Sequence, residues 1–142
     1  MRQRRNPPAL PTIGQWTPGN FYRASWGTKH PDYGWLREGV ALTKLWNGSP
    51  GGRRPPAWGL THCGTGHTIC MIEAHETEAF RIADQIVGLT DWTFDGLDGW
   101  KNTDPDLMQK LGALLELLGR KIRCGGGMQD SEGARAIAYA KA

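Results

Sequence analysis

The sequence predicts an α+β domain: a small antiparallel sheet, including a hairpin at about residues 58–72, with two to three helices packed on one face. Three observations predict it. The stretches 58–63 (WGLTHC) and 67–72 (HTICMI) flank Gly64, Thr65 and Gly66, which is the pattern of a β-hairpin. Two later stretches, near 76–87 and 104–118, place apolar residues at helical spacing. Gly- and Pro-rich segments punctuate the chain between these units.

Taken in order, residues 1–20 form a basic, Pro-rich flexible arm, with Arg2, Arg4 and Arg5 followed by Pro7, Pro8, Pro11 and Pro18. A single α+β domain is expected over 21–123. Residues 21–26 (FYRASW) read as a short strand ending at Gly27. For 33–46 the residues fit two readings. Trp35, Gly39, Leu42 and Trp46 share a helical face, with Asp32 as N-cap and Gly48 as stop, whereas Val40, Leu42 and Trp46 fit one face of a strand; the helix is the expectation adopted. Residues 47–57 (NGSPGGRRPPA) form a mobile loop.

In the hairpin, a two-residue turn at Gly64 and Thr65 would pair His62 with His67, Leu60 with Ile69 and Trp58 with Met71. The helix at about 76–87 carries the stripe Ala79, Ile82, Ala83 and Ile86 and stops at Gly88. Residues 90–102 are too irregular for a helix, and Trp92, Phe94 and Trp100 should anchor them over the core edge. In the next helix Asp104 caps, Pro105 takes the first position, and Thr103 to Asp106 resembles a capping box. Leu107, Leu111, Leu114, Leu115 and Leu118 make its stripe, and Gly119 ends it. Residues 124–142 hold a Gly-rich break at 125–127 and a short Ala-rich helix or tail capped by Ser131.

Composition narrows the function classes. The 142 residues include 17 Lys+Arg and 14 Asp+Glu, but the charge is blocked. Residues 1–72 carry a net +7, 73–106 a net −7, and 107–142 a net +3. Such segregation suits electrostatic steering of a partner. No apolar run approaches the roughly 18 residues of a membrane span. No apolar stretch follows the basic N-terminus, so neither membrane insertion nor a secretory signal is expected. Three cysteines are too few for a disulfide scaffold, and a reducing cytoplasm is the expected compartment.

Candidate chemistry is sparse. His62, Cys63, His67, Cys70 and His75 cluster, yet no C-x-x-C knuckle accompanies them. On alternating strands His62 and His67 would share a face opposite Cys63 and Cys70, so these histidines are weak metal candidates and no cofactor is expected. Cys124 beside Arg120, Lys121 and Arg123 would be the more activated thiol, but no nucleophile signature surrounds it. A serine-hydrolase elbow and a P-loop ending are both missing, and no catalytic residue is assigned. A small enzyme or metal protein with a His/Cys hairpin site is the third reading.

Binding is the better expectation. Seven tryptophans exceed what a small core ordinarily needs. An acidic aromatic surface of Trp92, Phe94, Asp95, Asp98 and Trp100 would meet a protein partner. Alternatively, Arg2, Arg4, Arg5, Arg53 and Arg54 would contact phosphates while Tyr22 and Trp26 stack on bases, making the protein a DNA- or RNA-binding module. The Trp-led hairpin and Thr-Glu-Ala helix start at 58–88 resemble three-stranded-sheet-plus-helix DNA-binding modules of the AP2 type, although the hairpin strands here lack the Arg and Lys of a groove reader. The same hairpin, with its Ala-spaced helix and Asp91-Trp92, is similar in style to small uncharacterised accessory proteins of phages and mobile elements. That resemblance implies a non-enzymatic accessory or counter-defence protein, acting by contact with a host or phage protein, and carries over no catalytic residues.

Overall fold

The computed structural model describes residues 10–25, 27–94, 106–119 and 122–123. It has a five-strand antiparallel meander: β1 (Thr17–Ser25), β2 (Thr28–Arg37), β3 (Val40–Trp46), β4 (Ala57–His62) and β5 (Thr68–Glu73). A two-residue β6 (Ile122–Arg123) adds to the outer edge of β5. The helices are α1 (Glu76–Val87) and α2 (Leu107–Leu118). The class is therefore α+β.

Helix α1 occupies the expected span, and its stripe of Ala79, Ile82, Ala83 and Ile86 is buried together with Phe80 and Val87. The expected helix over 33–46 is instead the end of β2, a turn and β3. The cause is local. Glu38 and Gly39 both have positive φ, 48° and 92°, the two-residue turn whose twist matches a hairpin. Trp35 then pairs with Leu42 and Arg37 with Val40, so alternation wins over the helical spacing. The arm expected over 1–20 also gives way in its second half. Strand β1 begins at Thr17, Trp16 is buried, and Leu10 and Ile13 pack against the core. The loop after β3, expected to be mobile, is closed on itself: the Arg54 N–H donates to Ser49 Oγ at 2.8 Å and the Ser49 N–H to the Arg54 carbonyl at 3.1 Å.

The central hairpin forms with a different register. The His62 N–H bonds the His67 carbonyl at 2.8 Å, and the Gly66 N–H bonds the His62 carbonyl at 2.7 Å, so four residues make the turn. A bulge on β5 takes up Ile69. Leu60 therefore pairs with Cys70 and Trp58 with Ile72, one residue beyond the expected partners. In α2 the N-cap position falls at Asp106 without a side-chain cap bond, and Gly119 ends the helix as expected. Thr103, Asp104 and Pro105, and the C-terminal segment with Ser131, lie outside the described residues.

Register and alternation sort the strand residues onto two faces. One face aligns Trp35, Leu42, Leu60 and Cys70 across four strands, with Trp58 beside Ile72. Phe80 of α1 meets this face. Its ring lies edge-on to Trp35, Trp58 and Trp16, at 5.1, 5.8 and 5.9 Å between centroids. Leu107 and Leu111 of α2 belong to the same apolar cluster. The second face is made of small residues, including Gly34, Ala41, Gly59 and Thr61, with buried Phe21 from β1.

The β1–β2 hairpin leaves β3 after the Trp35–Leu42 pair and curls until the Ala24 N–H reaches the Gly66 carbonyl at 2.7 Å. Gly34 sits at this departure. A Cβ there would lie 2.5 Å from the Leu42 carbonyl oxygen and 2.6 Å from Thr43 Oγ1, so β2 can cross only without a side chain. Gly34→Ala should cost about 2 kcal/mol of stability through overpacking against backbone. Gly112→Ala, in α2 with nothing within 4 Å, should gain about 0.5–1 kcal/mol from reduced chain entropy. Urea denaturation of the two variants checks both signs.

Candidate functional site

The buried tryptophans are structural, and each ties down a separate segment. The Trp35 Nε1–H donates to the Pro11 carbonyl at 2.8 Å, fastening the N-terminal segment. The Trp58 Nε1–H donates to the Ala74 carbonyl at 2.9 Å, at the junction of β5 and α1. The Trp16 Nε1–H donates to Asp84 Oδ1 at 2.6 Å, and Arg37 pairs with the same oxygen. Trp92 is 1% exposed and donates to the Ile86 carbonyl at 2.9 Å, holding the chain leaving α1.

The expected acidic aromatic surface loses its described aromatics to the interior. Trp92 is buried, and Phe94 is half-buried and stacked on the His62 ring at 4.1 Å. Asp91 accepts from the Thr93 hydroxyl at 2.6 Å and the Thr93 N–H at 3.0 Å, and these bonds hold its carboxyl below the usual range. Asp95, Asp98 and Trp100 lie outside the described residues. Trp92 and Phe94 thus act as the anchors expected over the core edge rather than as the acidic aromatic surface; their partners, the Ile86 carbonyl and the His62 ring, are revealed only by tertiary placement.

His62 and His67 occupy the core side of the turn, and both are buried. His62 Nε2 lies 3.0 Å from the Trp92 carbonyl. A carbonyl only accepts, so Nε2 carries the proton. With the ring neutral, Nδ1 accepts from Thr65 Oγ1 at 2.8 Å. His62 thus locks the turn to the chain after α1. No group of three or more metal-ligating side chains gathers among the described residues. Cys70 is buried on the Trp58 face, not on the opposite one. Burial pushes the Cys63 thiol up to about 11, the reverse of an activated nucleophile. Cys124 and Trp26 are outside the described residues, as are Arg2, Arg4 and Arg5.

Among the described residues the exposed large apolar side chains are Tyr22 on β1, Leu117 on α2, and an adjacent pair at the far end of β3. Trp46 is 43% exposed and Leu45 41% exposed. A bulge between Lys44 and Trp46 places both on the small-residue face: Trp46 pairs with Ala57, and Leu45 lies against Gly59. The Arg54 guanidinium stands 5.1 Å from the centroid of the Trp46 ring, a cation–π contact. Arg53 and Arg54 are exposed beside it. On the other face of the same strand, Lys44 Nζ lies 5.2 Å from the Trp58 ring. A groove of about 320 Å³ adjoins the patch, lined by Arg53, Pro55, Glu73, His75 and Glu78 among others. Tyr22, 58% exposed, is on the β1–β2 hairpin. Arg53 and Arg54 were legible as basic loop residues. Trp46 and Leu45 were not, because a tryptophan at the end of an apolar strand reads as core and the bulge that turns it outward has no local signature.

Two outcomes check this geometry. His62→Ala should cost about 3 kcal/mol, from the cavity and the Trp92 carbonyl left without its donor, measured by denaturation. Alkylation of Cys63, followed by peptide mass spectrometry, should keep rising with pH up to about 10, where a thiol at the ordinary value of 9.0 would be levelling off. The raised thiol also means that its contribution to stability is intact below pH 9 and is lost as pH climbs toward 11. In comparisons with known proteins, no family model, curated protein or solved structure matches the chain.

Proposed function

We propose that this protein is a non-enzymatic binding protein that contacts a macromolecular partner through the sheet face around Trp46, in the manner of a small phage-like accessory protein. The carrying observation is the exposed Trp46–Leu45 pair with Arg54 over the indole. Buried tryptophans here are consumed by core packing and by their own N–H bonds, so an outward one in contact with arginine has the composition of an interface hot spot. We read the helices as packed on the opposite, Trp35–Trp58 face; on the Trp46 face Ala41, Gly59 and Thr61 are buried, and Leu45 and Trp46 at its end are exposed. His62 is committed to the turn and Cys63 is held protonated, which supports binding over catalysis. The free thiols of Cys63 and Cys70 favour a reducing, cytoplasmic setting. No helix among the described residues is long and apolar enough to cross a membrane.

The test is capture from lysate of the cells that carry the protein, with the wild type and a Leu45→Ser/Trp46→Ala variant as baits. The variant should keep the wild-type melting temperature within about 3 °C, since both sites are surface positions, and should lose the captured material. Arg81→Ala, on the helical side, should retain it. Equal capture by wild type and the double variant would remove this surface from consideration.

A further inference from the structure

We infer that the partner of the Trp46 surface is a second copy of this chain, joined about a two-fold axis that runs along β4 at Ala57; this rests on the binding surface proposed above. A two-fold contact needs a patch that complements itself, because each copy meets the same patch turned round. The row of residues through Ala57 has that form. Trp46 pairs with Ala57 on β4, and Ala57 pairs with Glu73 on β5. Directly paired residues share a face, so Trp46 and Glu73 flank the small Ala57 on one side of the sheet, two strand spacings or roughly 10 Å apart.

The charges divide about the same line. The Arg54 guanidinium stands 5.1 Å from the Trp46 ring centroid, on the β3 side of Ala57. Glu73 is on the β5 side. Rotation about an axis along β4 exchanges the two sides, so Arg54 and Trp46 of each copy come to lie over Glu73 of the other. One pairing of opposite charges is thereby made twice. Arg54 forms no ion pair within its own chain among the described residues. The adjoining groove carries both signs as well, Arg53 with Glu73 and Glu78, and Glu78 also touches Arg81 at 3.4 Å. A face of mixed sign selects neither a polyanion nor a polycation. It suits a partner that carries the same two signs in the same arrangement.

The centre of the patch is apolar and low. Leu45, 41% exposed, leans over β4: a Cβ placed on Gly59 would lie 3.2 Å from its Cδ1. The two Leu45 side chains therefore meet at the axis, and the short residues Ala57 and Gly59 let the copies approach. The Ser49 bonds already hold the Arg54 backbone in place, so less freedom is lost when the two copies join.

Sedimentation equilibrium of the full chain, from about 1 to 200 μM, tests this. The weight-average mass should rise from 15.7 kDa toward twice that value. Trp46→Ala should weaken association by about tenfold or more, as truncation of an interface anchor does. Arg54→Glu and Glu73→Arg should each remain monomeric, because like charges then face each other across the axis. An equimolar mixture of these two variants should associate within about tenfold of the wild type, which separates charge repulsion from misfolding. Lys29→Glu, a reversal on the β1–β2 hairpin, should change nothing. The inference is overturned if the wild type keeps the monomer mass throughout, if Leu45→Ser/Trp46→Ala associates as the wild type does, or if the mixture stays monomeric. If the chain is monomeric and the Leu45→Ser/Trp46→Ala bait still loses its captured material, the surface is right and its partner is a different macromolecule. If the bait loses nothing either, the surface itself falls.

Discussion

The enclosure of Phe80 by three tryptophans is the contact on which the other parts depend. Phe80 comes from the second turn of α1, Trp35 and Trp58 from the sheet, and Trp16 from the segment before β1. Edge-on aromatic pairs contribute about 0.5–1.5 kcal/mol each beyond the area they bury. Their larger effect is directional. Packed against Phe80, the indoles have their N–H groups turned outward to Pro11, Ala74 and Asp84. One apolar side chain thereby orients three hydrogen bonds that fasten the N-terminal segment, the strand-to-helix junction and the helix itself.

The same arrangement explains which parts of the fold are legible in the sequence. Helix α1 is legible because Ala79, Ile82, Ala83 and Ile86 satisfy one period and Gly88 marks the stop. The 58–72 hairpin is legible in outline because glycines bracket its turn, but its pairing is not. The bulge at Ile69 is favoured by the packing of Cys70 and Ile72 beside Leu60 and Trp58, and such packing is non-local. Residues 33–46 mislead because Trp35, Leu42 and Trp46 satisfy two periods at once. Only the Glu38-Gly39 turn separates them. Trp16 misleads for a different reason: prolines on both sides mark it as arm, while its partners Asp84 and Phe80 lie more than 60 residues away. The surface residues divide along the same line. Arg53 and Arg54 announce themselves by charge, whereas the outward aim of Trp46 depends on a bulge.

Sorting the tryptophans also resolves what the charge blocks mean. A meander keeps residues close in sequence on neighbouring strands, so the basic first half of the chain stays together as the sheet layer. Of the acidic stretch, α1 carries Glu76, Glu78 and Asp84, and its Phe80 meets the Trp35–Trp58 face. A chain that wound back and forth between layers would have mixed these charges. Here the two signs still meet at the groove that Arg53, Glu73 and Glu78 line together and at the Arg37–Asp84 ion pair.

The curl of the β1–β2 hairpin has one more consequence, for self-association. A long outer strand such as β1 offers a row of unpaired amides to any second extended chain. In this protein Pro18 has no amide hydrogen to offer, and the Ala24 N–H is taken by Gly66. At the opposite margin Ile122 and Arg123 cover Met71 and Ile72. Both margins of the sheet are thus obstructed where they are most apolar or longest. Leu45 and Trp46 can thus stand exposed at the end of β3 while the sheet margins discourage strand-to-strand stacking between copies, so apolar exposure and resistance to aggregation are separated onto different parts of one sheet.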